Sequence, residues 1–275
     1  MRRKNFIKTL IIHTLVVVVL LVALFPFIWM ISTAFKAPDE VFSIPPNLIP
    51  NKIGIKNFTK VFPQVDFIRL FINSTIYALG STVLYLFIIA PAGYVLAKYN
   101  FRGKKIIFIC ILASMMIPVE VLIVSLFQLL VKLGWLNTYI GMILPRVVDP
   151  FGIFLLRQHF LTIPTDYIYA GRIDGCSEFG IFQKIMLPMA SSTLAVAGIF
   201  MFTWRWNELL WPLIAANKVE MHTLQVGISL FIKEWYVEWN YMFAFCLLSI
   251  LPIIILFIFL QKYFVKGVIM TGIKG

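Results

Sequence analysis

The residues of this chain that could do chemistry are charged and amide side chains stranded in apolar surroundings. Glu120 follows Pro118 in one long apolar stretch, Arg146 and Asp149 sit between Pro145 and Pro150 in another, and Arg205, Asn207 and Glu208 stand among Trp204, Trp206 and Trp211. Amide and carboxyl groups bind hydroxyls, and aromatic faces stack on sugar rings, so these groups could line a polar path. They do not form a catalytic set. No nucleophile has a plausible base and orienter, and no G-x-x-x-x-G-K-[ST] phosphate loop occurs. Cys110, Cys176 and Cys246 are too scattered for a disulfide framework or a metal site, as are His13, His159 and His222.

The elements that must hold these groups are set by composition. The chain has 275 residues, 61% of them hydrophobic and only 13% charged, with a mean hydropathy of +0.92. Soluble domains are roughly half apolar and a quarter charged, so a soluble fold is excluded. Lipid leaves backbone polar groups no partners, which restricts spanning structures to helices and closed barrels. The long unbroken apolar runs lack a barrel's alternation. An all-α integral membrane protein is expected, with about six transmembrane helices at residues 10–35, 70–97, 106–131, 139–156, 189–216 and 241–264. The fourth, interrupted by Pro145, Arg146, Asp149 and Pro150, is predicted to be broken and the others continuous.

The net charge of +12 reads as topology rather than as affinity for nucleic acid. With the N-terminus inside, fourteen Lys and Arg residues fall on the cytoplasmic side, at residues 2–8, 98–105, 157–184 and 262–274, against eight outside. That bias follows the positive-inside rule and puts both termini in the cytoplasm. The first apolar run is too long for a signal peptide, and no small-residue cleavage site follows it.

The cytoplasmic stretch 157–188 predicts a helical hairpin. Pro164 can open a helix, Asp174-Gly175 is a turn dipeptide, and Phe179, Phe182 and Ile185 or Met186 recur at helical spacing. Its sequence, "IPTDYIYAGRIDGCSEFGIFQKIMLPMA", resembles the EAA loop of ABC importer permeases. "FGIFLLRQHF", Trp206-Asn207 before Trp211-Pro212, "LGWLNTYIGMILP" and the terminal "MTGIKG" resemble the carbohydrate-uptake, MalG-like branch of that family, in order.

The resemblance implies a type I importer permease in a bacterial or archaeal cytoplasmic membrane, moving a sugar or oligosaccharide inward. It implies as partners a second homologous permease, two ATPase subunits and an extracytoplasmic solute-binding protein. No cofactor belongs to this chain; ATP and Mg²⁺ belong to the ATPases. The coupling hairpin would use Asp166, Tyr169, Ala170, Gly171, Asp174, Gly175, Phe179, Leu187 and Pro188. Tyr169 stands where the family has the EAA glutamate and Gly171 where it has the last alanine, so Asp166, three residues before Tyr169, is the candidate polar anchor. Glu120 replaces a usual glutamine.

Several readings stay open. Glu120 either faces the pathway, or is protonated or paired with Arg146 or Arg205. Asn207 and Glu208 are read as docking or lumen groups and Trp211 as part of an interfacial aromatic belt. The hairpin is read as an ATPase-docking knob, with an interfacial helix on the headgroups as the plainer reading. In the competing class, an ion-gradient-driven secondary transporter, Glu120 and Asp149 would carry protons and two matching broken halves would be expected.

Overall fold

The structure is a computed structural model that describes residues 2–232 and 237–272. Ile273, Lys274 and Gly275, the end of the "MTGIKG" motif, lie outside the described residues. The described chain is helical: α1 (Arg2–Ala34), α2 (Lys56–Gln64), α3 (Phe67–Lys98), α4 (Lys104–Ser114), α5 (Val119–Leu133), α6 (Tyr139–Ile143), α7 (Pro150–Thr162), α8 (Asp166–Ile173), α9 (Glu178–Met189), α10 (Ser191–Trp206), α11 (Leu210–Ala215), α12 (Leu224–Ser229) and α13 (Trp239–Gly272). Among the described residues, three helices are long and apolar enough to cross a membrane unaided: Thr9–Ala34, Phe67–Lys98 and Trp239–Phe259. Three more candidates are bent pairs: α4 with α5 (98°), Tyr139–Arg146 with α7 (50°) and α9 with α10 (76°). Counting each pair as one span gives six.

The third stretch is therefore not continuous, contrary to expectation. Pro118 has no N–H to give to the turn before it, and the chain turns through residues 115–118 before α5 begins at Val119. The fifth also departs from expectation. The bend at Ala190 falls at the expected boundary between hairpin and span, but the helix stops at Trp206, with the separate helix α11 beyond.

The contacts divide the chain into two units. The smaller contains residues 1–67 and 227–251. In it, the Asn57 amide donates to the carbonyls of Ala34 and Lys36, each at 2.8 Å, and Asn240 donates to Asn57 at 3.2 Å. This knot satisfies backbone groups released where α1 ends. The apolar side chains of α1 from Leu15 to Val22 are exposed, as a lipid-facing or partner-facing helix requires.

The larger unit holds residues 68–226 and the end of α13. Its main core joins Tyr85, Ile89, Tyr94, Leu156, Phe160, Ile181, Met186 and Met201, so α3, α7, α9 and α10 share one packed interior. A second cluster joins Tyr77, Leu130, Met142, Trp211 and Ala215. Trp211 is fully buried there and its indole N–H donates to the Met142 carbonyl at 2.9 Å. It is not a belt residue. An indole whose N–H finds a partner is as well placed in a core as at an interface.

Candidate functional site

Two of the breaks, before α5 and before α7, and the far end of α10 surround one cleft. Residues 114–122, 145–151 and 200–208 line a cavity of about 980 Å³ in the larger unit. A broken helix leaves backbone groups without helical partners, and at membrane depth such backbone is tolerated only inside protein or beside water. The polar side chains singled out from sequence, Glu120, Arg146, Asp149, Arg205, Asn207 and Glu208, all line this cavity.

Each has a local reason to be there. Glu120 occupies the first turn of α5, where the helix dipole favours a negative charge, and is exposed to the cleft. The bend after Ser114 is what gives a carboxylate in the third stretch access to the cavity. Asp149 caps α7, accepting from the Phe151 N–H at 2.8 Å, with Pro150 in the first helical position. Asn207 closes α10 and donates to the Thr203 carbonyl at 2.9 Å.

Glu208 is the hub. It accepts from Arg205 at 2.8 Å and from the Tyr77 hydroxyl at 2.6 Å, and it pairs with Arg146. Arg205 also donates to the Arg146 carbonyl. The two guanidinium groups considered as partners for Glu120 thus both go to Glu208. Only 13% of the Glu208 side chain is exposed, so this carboxylate balances charge inside the protein. An aromatic patch borders the same space: Trp204 stacks on Phe200 with centroids 5.8 Å apart and lies 6.2 Å from Phe151. Acid, base, amide and flat apolar faces meet in one space, a combination able to bind a hydroxylated ligand.

The hairpin of α8 and α9 forms a second constellation. α8 and α9 are joined by a turn in which Gly175 has φ +77°, a conformation that side chains with a Cβ rarely adopt. Gly171 is buried at their contact. A Cβ there would come within 3.0 Å of Ile181 and Ile185, which explains glycine where alanine is usual. The expected apolar stripe divides. Phe182 stacks on Tyr94 at 5.2 Å and Met186 is buried, whereas Phe179 stays 70% exposed beside Ile173 at 86% and Tyr169 at 54%.

Asp166, Ala170 and Asp174 are exposed, Leu187 is half-buried and Pro188 is exposed. Pro188 leaves its mark one turn earlier: Phe182–Met186 relaxes into a π-helical turn, which re-pairs carbonyls that the missing N–H would leave free. The tip carries a charged pair of its own. Arg172 lies 5.9 Å over the Tyr169 ring and pairs with Glu178 through Nε at 2.7 Å and Nη2 at 3.2 Å, while the Tyr99 hydroxyl also donates to Glu178. Arg172 holds the Glu178 carboxyl below the ordinary carboxylate range, and Tyr99 adds to that effect.

Sequence reasoning missed Tyr77 and Tyr99, which carry no local signal, and Glu178. The three-residue spacing of Arg205 and Glu208 was a usable signal for their pairing.

Comparisons with known proteins bear on the family and the fold. Residues 89–270 match the family model described as binding-protein-dependent transport system inner membrane component. The chain is 37% identical over 257 residues to the arabinooligosaccharides transport system permease protein AraQ of Halalkalibacterium halodurans, covering 92% of each. It is 28% identical to the sn-glycerol-3-phosphate transport system permease protein UgpE of Brucella abortus, covering 96% of this chain and 97% of the relative. Among solved structures, it superposes with a TM-score of 0.84 and 25% identity on a chain of a bacterial ABC transporter involved in the import of the acidic polysaccharide alginate, covering 95% of this chain and 98% of that one. The chain belongs to the binding-protein-dependent transport system inner membrane component family and is a permease of the ABC importer type.

Proposed function

We propose that this permease passes a neutral sugar or oligosaccharide into the cytoplasm through the cleft ringed by the three broken spans. The observation that carries the reading is that cleft's composition. Aromatic faces share it with acids and the Asn207 amide, and its three carboxylates, Glu120, Asp149 and Glu208, outnumber its two guanidinium groups, Arg146 and Arg205. Such a balance suits hydroxyl-rich neutral ligands better than phosphates or uronates. This supports a substrate nearer in chemistry to arabinooligosaccharides than to glycerol 3-phosphate or alginate.

The exposed tip of Tyr169, Ile173 and Phe179 is the docking surface in this reading. It enters a groove on a separate ATPase, which binds ATP and Mg²⁺. One cleft in one chain is open on a side, so a second permease completes the path, a pair of ATPases drives it and an extracytoplasmic binding protein delivers substrate. The membrane is a bacterial or archaeal cytoplasmic membrane with both termini inside.

The test is uptake in cells lacking and then regaining this subunit. Labelled arabinooligosaccharides should be taken up only after restoration and only with an active ATPase, while glycerol 3-phosphate and alginate oligomers should not. Restoration of the anionic substrates alone would overturn the neutral-sugar reading. Uptake that survives an inactive ATPase but stops with a protonophore would return the gradient-driven alternative.

A further inference from the structure

A second cleft, of about 470 Å³, opens where the chain leaves α3 and enters α4. Lys104, Lys105 and Arg157 line it together with Asn100, Phe101 and Phe108, and no carboxylate does. Two of the three cations are held in place by bonds to the end of α3. The Lys104 ammonium donates to the Tyr99 carbonyl at 2.8 Å, and Arg157 Nε donates to the Leu96 carbonyl at 3.2 Å while its guanidinium lies 3.9 Å over the Phe108 ring. Such bonds leave each head with further N–H donors. Lys105 is exposed beside them. Gly103, at φ +88°, turns the chain so that the positive end of the α4 dipole adds to the same field.

Directly along α4 the character changes, with Ile106 68% exposed and Ile109 52% exposed. Cations at the mouth and bare isoleucines on the shaft suit a molecule with an anionic head and apolar tails. The site lies at the end of two spans on the side that the cation distribution makes cytoplasmic, and that leaflet carries the anionic lipids.

We propose that this cleft binds the phosphodiester headgroup of an anionic phospholipid, with its acyl chains lying along α4. The inference does not depend on what the central cleft carries. Free phosphate shares the head chemistry but gains nothing from Ile106 and Ile109. An acidic segment of a partner protein would need the cleft to face away from lipid.

The experiment uses the complete transporter, stripped of lipid and titrated with phosphatidylglycerol or phosphatidylcholine while adducts are counted by native mass spectrometry. One phosphatidylglycerol should be held about tenfold more tightly than phosphatidylcholine, and Lys105→Glu, at an exposed rim position, should remove that preference. Arg157→Lys, which keeps the charge, should retain most of it. A photo-crosslinker at position 105 should label lipid. Equal retention of the two lipids, a preference unchanged in Lys105→Glu, displacement of phosphatidylglycerol by millimolar inorganic phosphate, or crosslinking to a partner subunit would each overturn the proposal.

Discussion

A carboxylate that gathers arginine and a tyrosine hydroxyl occurs twice in the larger unit, with two arginines in one place and one in the other, in opposite surroundings. Glu208 collects Arg146, Arg205 and the Tyr77 hydroxyl in the cleft; Glu178 collects Arg172 and the Tyr99 hydroxyl at the hairpin. The first side chains are 8–13% exposed and the second pair 45–50%. Burial decides what each assembly is for. Taking charges from water is costly, so a buried network holds only while it is complete, and losing one member strands the others. An exposed pair is screened by water and adds little stability, so its effect is to fix a shape. The cleft network therefore keeps the span intact, and the hairpin network sets the angle between α8 and α9.

The sharpest way to break this contrast is to remove the two carboxylates in turn. Glu208→Ala leaves Arg146 and Arg205 facing one another, and should destabilise the protein by about 3–5 kcal/mol and abolish uptake. Thermal unfolding in detergent reads the loss, and Arg146→Gln added to Glu208→Gln should recover part of it. A stable, active Glu208→Ala would show that the cleft charges are as dispensable as surface ones.

Next in size is Gly175→Val, which forces a β-branched residue into positive φ. The protein should insert and assemble yet lose substrate-stimulated ATPase activity. Asp166→Ala should have a smaller effect, because Arg172 and Glu178 supply the charges beside Tyr169. Full stimulation in both variants would remove the hairpin from the coupling route.

A smaller change is expected at Glu120. Glu120→Gln keeps a polar group in the cleft and forfeits only about 0.3–1 kcal/mol of dipole interaction, so transport should persist; Glu120→Leu should lower uptake several-fold at equal expression. Unchanged uptake in the leucine variant would take Glu120 off the pathway.

The smallest effect is the pH response of Glu178. Its folded carboxyl titrates below the usual value of 4.5, so its contribution is complete above that value and disappears as pH falls through the lower folded one. Hydrogen exchange of the hairpin, corrected for intrinsic rates, should differ between wild type and Glu178→Gln at neutral pH and converge in stronger acid. A difference that instead grew with acid would reverse the assignment.

Much of this was legible in the sequence, and the gaps have physical causes. Composition alone required helices, and Pro145 to Pro150 marked a break because charge and missing N–H groups coincide there. Pro118 was harder. Pro26, Pro91 and Pro252 all sit inside continuous helices, so proline by itself does not decide; at Pro118 the nearby Glu120 opens onto the cleft that receives the freed backbone. Trp211 was misread because an indole at a span's outer end suits a belt and a core equally well. Glu208 with Arg146, and Glu178 with Tyr99, join positions far apart in the chain, and a single sequence carries no record of such meetings.

The elbow at Ala190 has a mechanical consequence. α9 and α10 meet at 76°, close to a right angle. A bell crank has that form: force along one arm emerges across the other. On the proposed reading, a push delivered along the α9 arm would swing α10 sideways instead of driving it through the bilayer like a piston. Because α10 carries Phe200, Thr203, Trp204 and Arg205 on one side of the cleft, the stroke would widen or narrow that wall while the depth of each side chain stayed nearly constant.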